Sequence, residues 1–589
     1  MSSVEPPSSG FLSDVAVAER DTPLPPPPGP PPGPDDPRYV GDPAAFERDR
    51  QAHEATAAAF TAAAQQRGGA VSQVISTWLT AAPLNMLQEL LDQPADVMPI
   101  FQPAVGPAVV ARHEHVMTCL SRPDLFTVAP YAAEMARATD DKTKNPQAFS
   151  HFLLGTDDDA LYRLDDVILR RVVAPTDTSV LTALARSEVE CWARTATDSG
   201  ADEVDVVPTI ARSVPMRIVG DYLGVPAQER HEPSVLPGLR AGDPFPLDID
   251  LERVYTFTKI HEGLVPTTDD LFTWVKDAFR NIFNNFNPRS PQFADFRERG
   301  LIATEYLTAY LHALITHYKG LLRQDQPVPD TMLTRLLRLQ LQAGGVGGES
   351  LAEEVAAQLG APLGDGELER RLSDSMIRSN VFGVVTGAVV NPQEATSRVA
   401  DSILRLKDGQ YAVRDGSGYD EAVRAARLDE GDPGYEEGLQ RLRRYALEAL
   451  RFRPQGEVLL RLCAKDNTEL GGVPVRRGTP VFVGFAGAQR DPAAVEDPLC
   501  FDVFRDEQLV PYLPDGERAR EAPQSRVYLQ HGYGRHKCLG RYASEICLTE
   551  SLRALLRLGN LERRTALEMD EQNLYAVRLR IGFAAGSRT

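Results

Sequence analysis

Several features that would assign a chain quickly are missing. No run of 18 or more apolar residues occurs, so no segment is expected to span a membrane. The N-terminus has no basic patch followed by an apolar stretch, and no secretory leader is expected. The six cysteines (Cys119, Cys191, Cys463, Cys500, Cys538 and Cys547) include no CxxC pair and no spacing typical of a disulfide framework. That usage fits a reducing compartment, with the cytoplasm as the expected location. A basic stripe is also absent. The net charge of −20 is spread along the chain, which excludes the phosphate-neutralising surface a nucleic-acid binder needs.

An apolar content of 42% over 589 residues can fill a large core. Length alone suggests several domains, but the motifs below spread over most of the chain and belong to one fold. Residues 1–40 are the exception. The tract from Pro23 to Pro34 favours extended polyproline and cannot bury a core, so this part reads as a disordered tail, able at most to serve a proline-binding module. Residues 41–589 are expected to form a single domain. Helical spacing of apolar residues marks 44–67, 179–197, 303–322, 368–406 and 438–452. Strand signals are short, at 108–111, 458–461 and 480–484. The expected class is mainly α with a minor β-sheet region.

The most informative segment is His531-Gly532-Tyr533-Gly534-Arg535-His536-Lys537-Cys538-Leu539-Gly540, followed at once by a helical pattern. Glycines allow a tight turn and close backbone approach to a flat ligand. Amides freed in the turn and at the helix start can stabilise a thiolate. The spacing Gly-x-Gly-x-His-x-Cys-x-Gly resembles the haem-thiolate loop of the cytochromes P-450. The resemblance implies that Cys538 is the axial ligand of haem b (iron protoporphyrin IX), that Gly532, Gly534 and Gly540 shape the loop, and that the haem lies between a long distal helix and the helix after the cysteine.

Upstream, Glu448-Ala449-Leu450-Arg451 places a carboxylate and a guanidinium on one helix face. A strand carrying Arg461 follows, and then Asp497 to Arg505. This order is similar to the family's Glu-x-x-Arg helix, propionate-binding strand and meander. By that resemblance Glu448, Arg451 and Arg505 form a buried structural triad, and Arg461 and His536 bind haem propionates. Looser matches lie earlier, at Arg122 to Val128 and at Leu153 to Asp159. The helix after Asp159 departs from the family pattern at Leu161 and Asp165, leaving Arg163 as the candidate propionate contact. The resemblance spans roughly residues 80–585 and is densest after 370.

The distal helix reads Asn380 to Ser397. Gly387-Ala388 would bring it close to the iron. A monooxygenase of this family usually continues with an acid and an alcohol that relay protons. Here those positions are Val390 and Asn391, followed by Pro392, which should kink the helix. A rival register takes Glu394 as the acid and Thr396 as the hydroxyl, and a third account gives Asn391-Pro392 no catalytic duty. The site expected from sequence therefore includes Thr386, Gly387, Ala388, Asn391 and Glu394, with Phe126, Val128 and Tyr131 covering the substrate.

The function implied is a haem-thiolate monooxygenase that inserts one oxygen atom from O2 into a small organic substrate. No glycine-rich strand–helix unit for flavin or nicotinamide occurs, so electrons are expected from a separate ferredoxin and its reductase. Arg535, Lys537 and Arg541 would offer a basic docking patch. Two other readings stay open. One is an O2-independent hydroperoxide isomerase or peroxygenase, which the Asn391-Pro392 departure favours. The other is a haem-binding or recruiting protein without turnover.

Overall fold

The computed structural model describes residues 83–132, 152–227, 266–284, 291–505, 525–570 and 574–583, with breaks at 97, 103–106, 158 and 199 and a few further positions near 47–51 and at 135. The proline-rich tail, most of the expected helix at 44–67 and the segment 236–265 lie outside these residues. Eight helices position the site: α1 (His113–Ser121), α2 (Asp159–Val172), α3 (Thr178–Asp198), α4 (Ile210–Asp221), α5 (Thr268–Phe283), α6 (Asp374–Lys407), α7 (Tyr435–Phe452) and α8 (Arg541–Arg557). α6 is the axis of the domain. It packs against α4, α5, α7 and α8, and its apolar residues run through the main core.

The expected helices at 179–197 and 438–452 are α3 and α7, and the one at 303–322 lies within Pro291–Arg323. The stretch 368–406 divides. Leu372 closes a short helix (Glu367–Arg371), and Ser373, in extended conformation, restarts the chain as α6. α6 then runs 34 residues through Pro392 without interruption. Proline removes one hydrogen bond, and the burial of nearly every other side chain on this helix outweighs that loss.

The principal sheet has four strands: β1 (Ala108–Val110), β2 (Phe126–Thr127), β3 (Leu459–Cys463) and β4 (Pro480–Val483), in spatial order β1-β4-β3-β2. β1 runs parallel to β4, and the other pairings are antiparallel. Arg461 is paired with Val481 in the middle of this sheet, a rigid mount for a cation. A two-stranded ribbon, β5 (Glu568–Met569) and β6 (Ala576–Arg578), comes back near α6. No helix among the described residues is long and apolar enough to cross a membrane.

Candidate active site

The cysteine loop is held by its backbone. The Cys538 amide donates to the His531 carbonyl at 2.8 Å, and Gly532 and Gly534 both adopt positive φ, +71° and +72°. At Gly534 close packing adds to the demand: a Cβ there would lie 2.7 Å from the Leu120 carbonyl at the end of α1. The contact that requires glycine is therefore protein on protein. Gly540 is the N-cap of α8, and its amide bonds the Cys538 sulfur. Burial pushes the Cys538 thiol up, while that amide, Arg541, Arg170 and Lys537 favour the thiolate. Cys538 nevertheless carries accessible surface.

α6 presents a matching face. From Met376 to Leu406 every residue is buried except Val384, Gly387, Ala388 and Asn391. These fall at i, i+3, i+4 and i+7, a single stripe of the helix. A Cβ added at Gly387 would meet nothing within 4 Å. Four residues earlier the opposite holds: a Cβ on Gly383 would collide with the Phe152 ring at 1.9 Å. So Gly383 seats an aromatic ring, and Gly387 opens onto free space. The Asn391 carboxamide turns back along the stripe, its Nδ2 donating to the Gly387 carbonyl at 3.4 Å.

Arg461 is buried, donates to the Leu460 carbonyl at 2.9 Å and has no carboxylate ion pair among the described residues. Tyr131 lies beside it and accepts the Leu460 amide at 2.7 Å. His536 bonds through Nε2 to Asp157 Oδ1 at 2.8 Å, and its buried Nδ1 has no partner among the described residues. Asp157 also takes the Val128 amide at 2.7 Å. One carboxylate thus ties the cysteine loop to the segment after β2. The Leu-Gly-Thr-Asp pattern was the sequence signal for it, although this role was not anticipated. Tyr162 on α2 completes the junction, its hydroxyl on the Arg535 carbonyl and its ring edge-on to His536.

The triad residues meet. Glu448 and Arg451 are fully buried and joined by two hydrogen bonds of 2.8 and 2.9 Å. Arg505 Nε reaches Glu448 Oε1 at 3.2 Å. Glu448 also accepts the Asp502 amide and the Tyr528 hydroxyl. Arg451 donates to the carbonyls of Gln489, Pro498 and Cys500, so the pair fastens the chain that leads to the cysteine loop.

Other expected members lie elsewhere. Arg163 is exposed and reaches the Leu359 carbonyl at 3.4 Å; one step along α2 from Tyr162, it turns away from the loop. Arg170, two turns beyond Tyr162, is the α2 cation that acts on Cys538. Thr386 is buried and off the stripe, its hydroxyl satisfied by the Phe382 and Gly383 carbonyls at 2.9 and 3.0 Å. Glu394 is buried against β6, where Oε1 accepts the Ala576 amide at 2.7 Å. Burial pushes its carboxyl up to about 7. Glu394 and Thr396 of the rival register are both buried and lie off the accessible stripe of α6. Phe126 is buried in a hydrophobic cluster with Cys463 and Val481. Of the docking patch, Arg535 donates to the Asp157 carbonyl, and Lys537 is half-buried, with burial and Arg541 lowering its pKa to about 8.

An exposed cysteine, a helix stripe opening onto free space and, among the described residues, a buried guanidinium without a carboxylate ion pair and an imidazole nitrogen without a partner suit a flat iron-bearing macrocycle with acidic side groups. Residues 440–572 match the family model described as Cytochrome P450. In sequence, the chain is similar to a bifunctional dioxygenase–epoxy alcohol synthase of Pyricularia oryzae, 36% identical over 91 residues, 15% of this chain and 6% of the relative. A protein of the same description from Fusarium oxysporum is 25% identical over 215 residues, 36% of this chain and 14% of the relative. The matched stretches are thus a small part of these relatives' lengths. In fold, the chain is similar to the haem domain of CYP116B5 from Acinetobacter radioresistens, with a TM-score of 0.54, 15% identity and coverage of 85% of this chain and 95% of that one.

Proposed function

We propose that the chain, a member of the cytochrome P450 superfamily, is a haem b oxidoreductase of the monooxygenase type whose residues divide the work as follows. Cys538 is the axial thiolate, and the observation that carries this reading is an exposed cysteine whose sulfur takes the Gly540 amide at the start of α8. Haem bound there supplies oxygen activation, and a thiolate ligand favours O–O cleavage. Arg461 and His536 hold the propionates by charge-assisted bonds. Gly387 and Ala388 give the oxygen side its room, and Asn391 is its polar side chain. The triad Glu448, Arg451 and Arg505 keeps the cysteine segment in place. A ferredoxin-type donor supplies electrons, and a small organic substrate binds beside the α6 stripe in a single domain spanning 41–589. A cytoplasmic location accords with this reading.

A second reading has its own support. The accessible stripe holds no acid and no hydroxyl: it is Val384, Gly387, Ala388 and Asn391, while Glu394 and Thr386 are buried off it. A reaction that starts from a peroxide needs no relay of protons to O2, and two relatives carry epoxy alcohol synthase in their description. The two readings separate in one experiment. Purified protein is given either O2 with reduced ferredoxin, or an organic hydroperoxide without reductant, and products are identified. Oxygenated product only in the first case supports the monooxygenase. Rearranged hydroperoxide without reductant overturns it in favour of an isomerase.

A further inference from the structure

Two successive carbonyls on the distal stripe differ in state. The Gly387 carbonyl receives the Asn391 amide at 3.4 Å. The Ala388 carbonyl would normally receive the backbone N–H of residue 392, but residue 392 is proline and has none. Among the described residues no side chain donates to the Ala388 carbonyl, and neither does any backbone amide from outside the helix. Ala388 is on the accessible stripe, and the neighbouring Gly387 opens onto free space. α6 is continuous on both sides, so Pro392 does not end the helix. Its local consequence is one backbone acceptor without its helical donor, beside one carboxamide.

We propose that Pro392 leaves the Ala388 carbonyl free to accept the O–H of an organic hydroperoxide bound over the haem. This inference rests on the peroxide reading. The acceptor fixes the terminal O–H, and the Asn391 Nδ2 is the nearby donor for the peroxide oxygens. A main-chain acceptor takes a hydrogen bond without gaining or losing a proton, which suits a substrate that arrives already reduced. A hydroxyl at this place would instead suit relay of protons to O2.

The test compares an O–H ligand with its methylated twin. Cumyl alcohol, an unreactive analogue of cumene hydroperoxide, and cumyl methyl ether are titrated into ferric protein and followed by the Soret shift. Wild type should prefer the alcohol by about five- to tenfold, the worth of one hydrogen bond. Pro392→Ala restores the N–H and should abolish that preference. It should also lower the C–O stretching frequency of the ferrous carbon-monoxide complex, because a free carbonyl beside the ligand opposes charge build-up on its oxygen. Asn391→Leu keeps the proline and should keep the preference, which excludes the carboxamide oxygen as acceptor. An unchanged preference and an unmoved C–O stretch in Pro392→Ala would overturn the proposal. So would loss of the preference in Asn391→Leu alone. Failure of the peroxide reading would appear separately, as intact alcohol preference with no hydroperoxide turnover.

Discussion

Replacing Glu448 by glutamine keeps the side-chain volume and removes one charge from the interior. In the native chain this carboxylate takes two bonds from Arg451, one from Arg505, one from the Asp502 amide and one from the Tyr528 hydroxyl. Its loss leaves a fully buried guanidinium without a counter-charge, which costs about 3–5 kcal/mol. Arg451 keeps three backbone carbonyls as acceptors, so the expected cost lies at the low end, about 3 kcal/mol, or roughly 150-fold in the folding equilibrium. Against a typical stability of about 5–15 kcal/mol the variant should still fold. The carbonyls of Pro498 and Cys500 lead into the cysteine segment, so haem retention should fall with stability. Urea unfolding followed by circular dichroism, with haem content measured alongside, reads both. A loss below about 0.5 kcal/mol would refute the reasoning, because that is the range of an ordinary surface change.

Glu394 has a raised carboxyl, about 7 against an unfolded value near 4.5, so the fold binds its proton more tightly. Stability should decline as pH rises between those values, by roughly 2–3 kcal/mol; Glu394→Gln, which keeps the acceptor for Ala576, should remove that decline in unfolding measured from pH 5 to 8. Asp401 shows the reverse: Arg453, Arg405 and Arg563 hold its carboxyl well below the usual range. Its contribution is full above pH 4 and lost below, so the gap between wild type and Asp401→Asn should be constant from pH 5 to 8 and shrink in acid. Gly534→Ala places a Cβ at positive φ and against the Leu120 carbonyl, and should cost at least about 1–2 kcal/mol in urea unfolding.

The C-terminal half was legible because its chemistry fixes residue types at fixed spacings. A pair three apart on a helix and a cysteine between glycines survive any reading of periodicity, and α7, Arg461 and the loop lie where they were expected. The distal helix was legible in extent and less so in detail. Sequence places Thr386 one residue from Gly387, and only the helix rotation shows that one is buried and the other open. Glu394 looked like a catalytic acid because, with Thr396, it offered an acid and a hydroxyl in a rival register; its partner, the Ala576 amide, comes from a strand 182 positions away. Asp157 was visible only as a motif letter. Its bond to His536 joins segments 379 positions apart, a pairing that no local pattern carries.

The central claim is that Cys538 binds the haem iron as a thiolate. The Soret band of the reduced carbon-monoxide complex tests it most directly, compared between wild type and Cys538→His. Wild type should show the long-wavelength band of thiolate ligation, and the variant the shorter-wavelength band of an imidazole complex. The same band in both proteins would contradict the account.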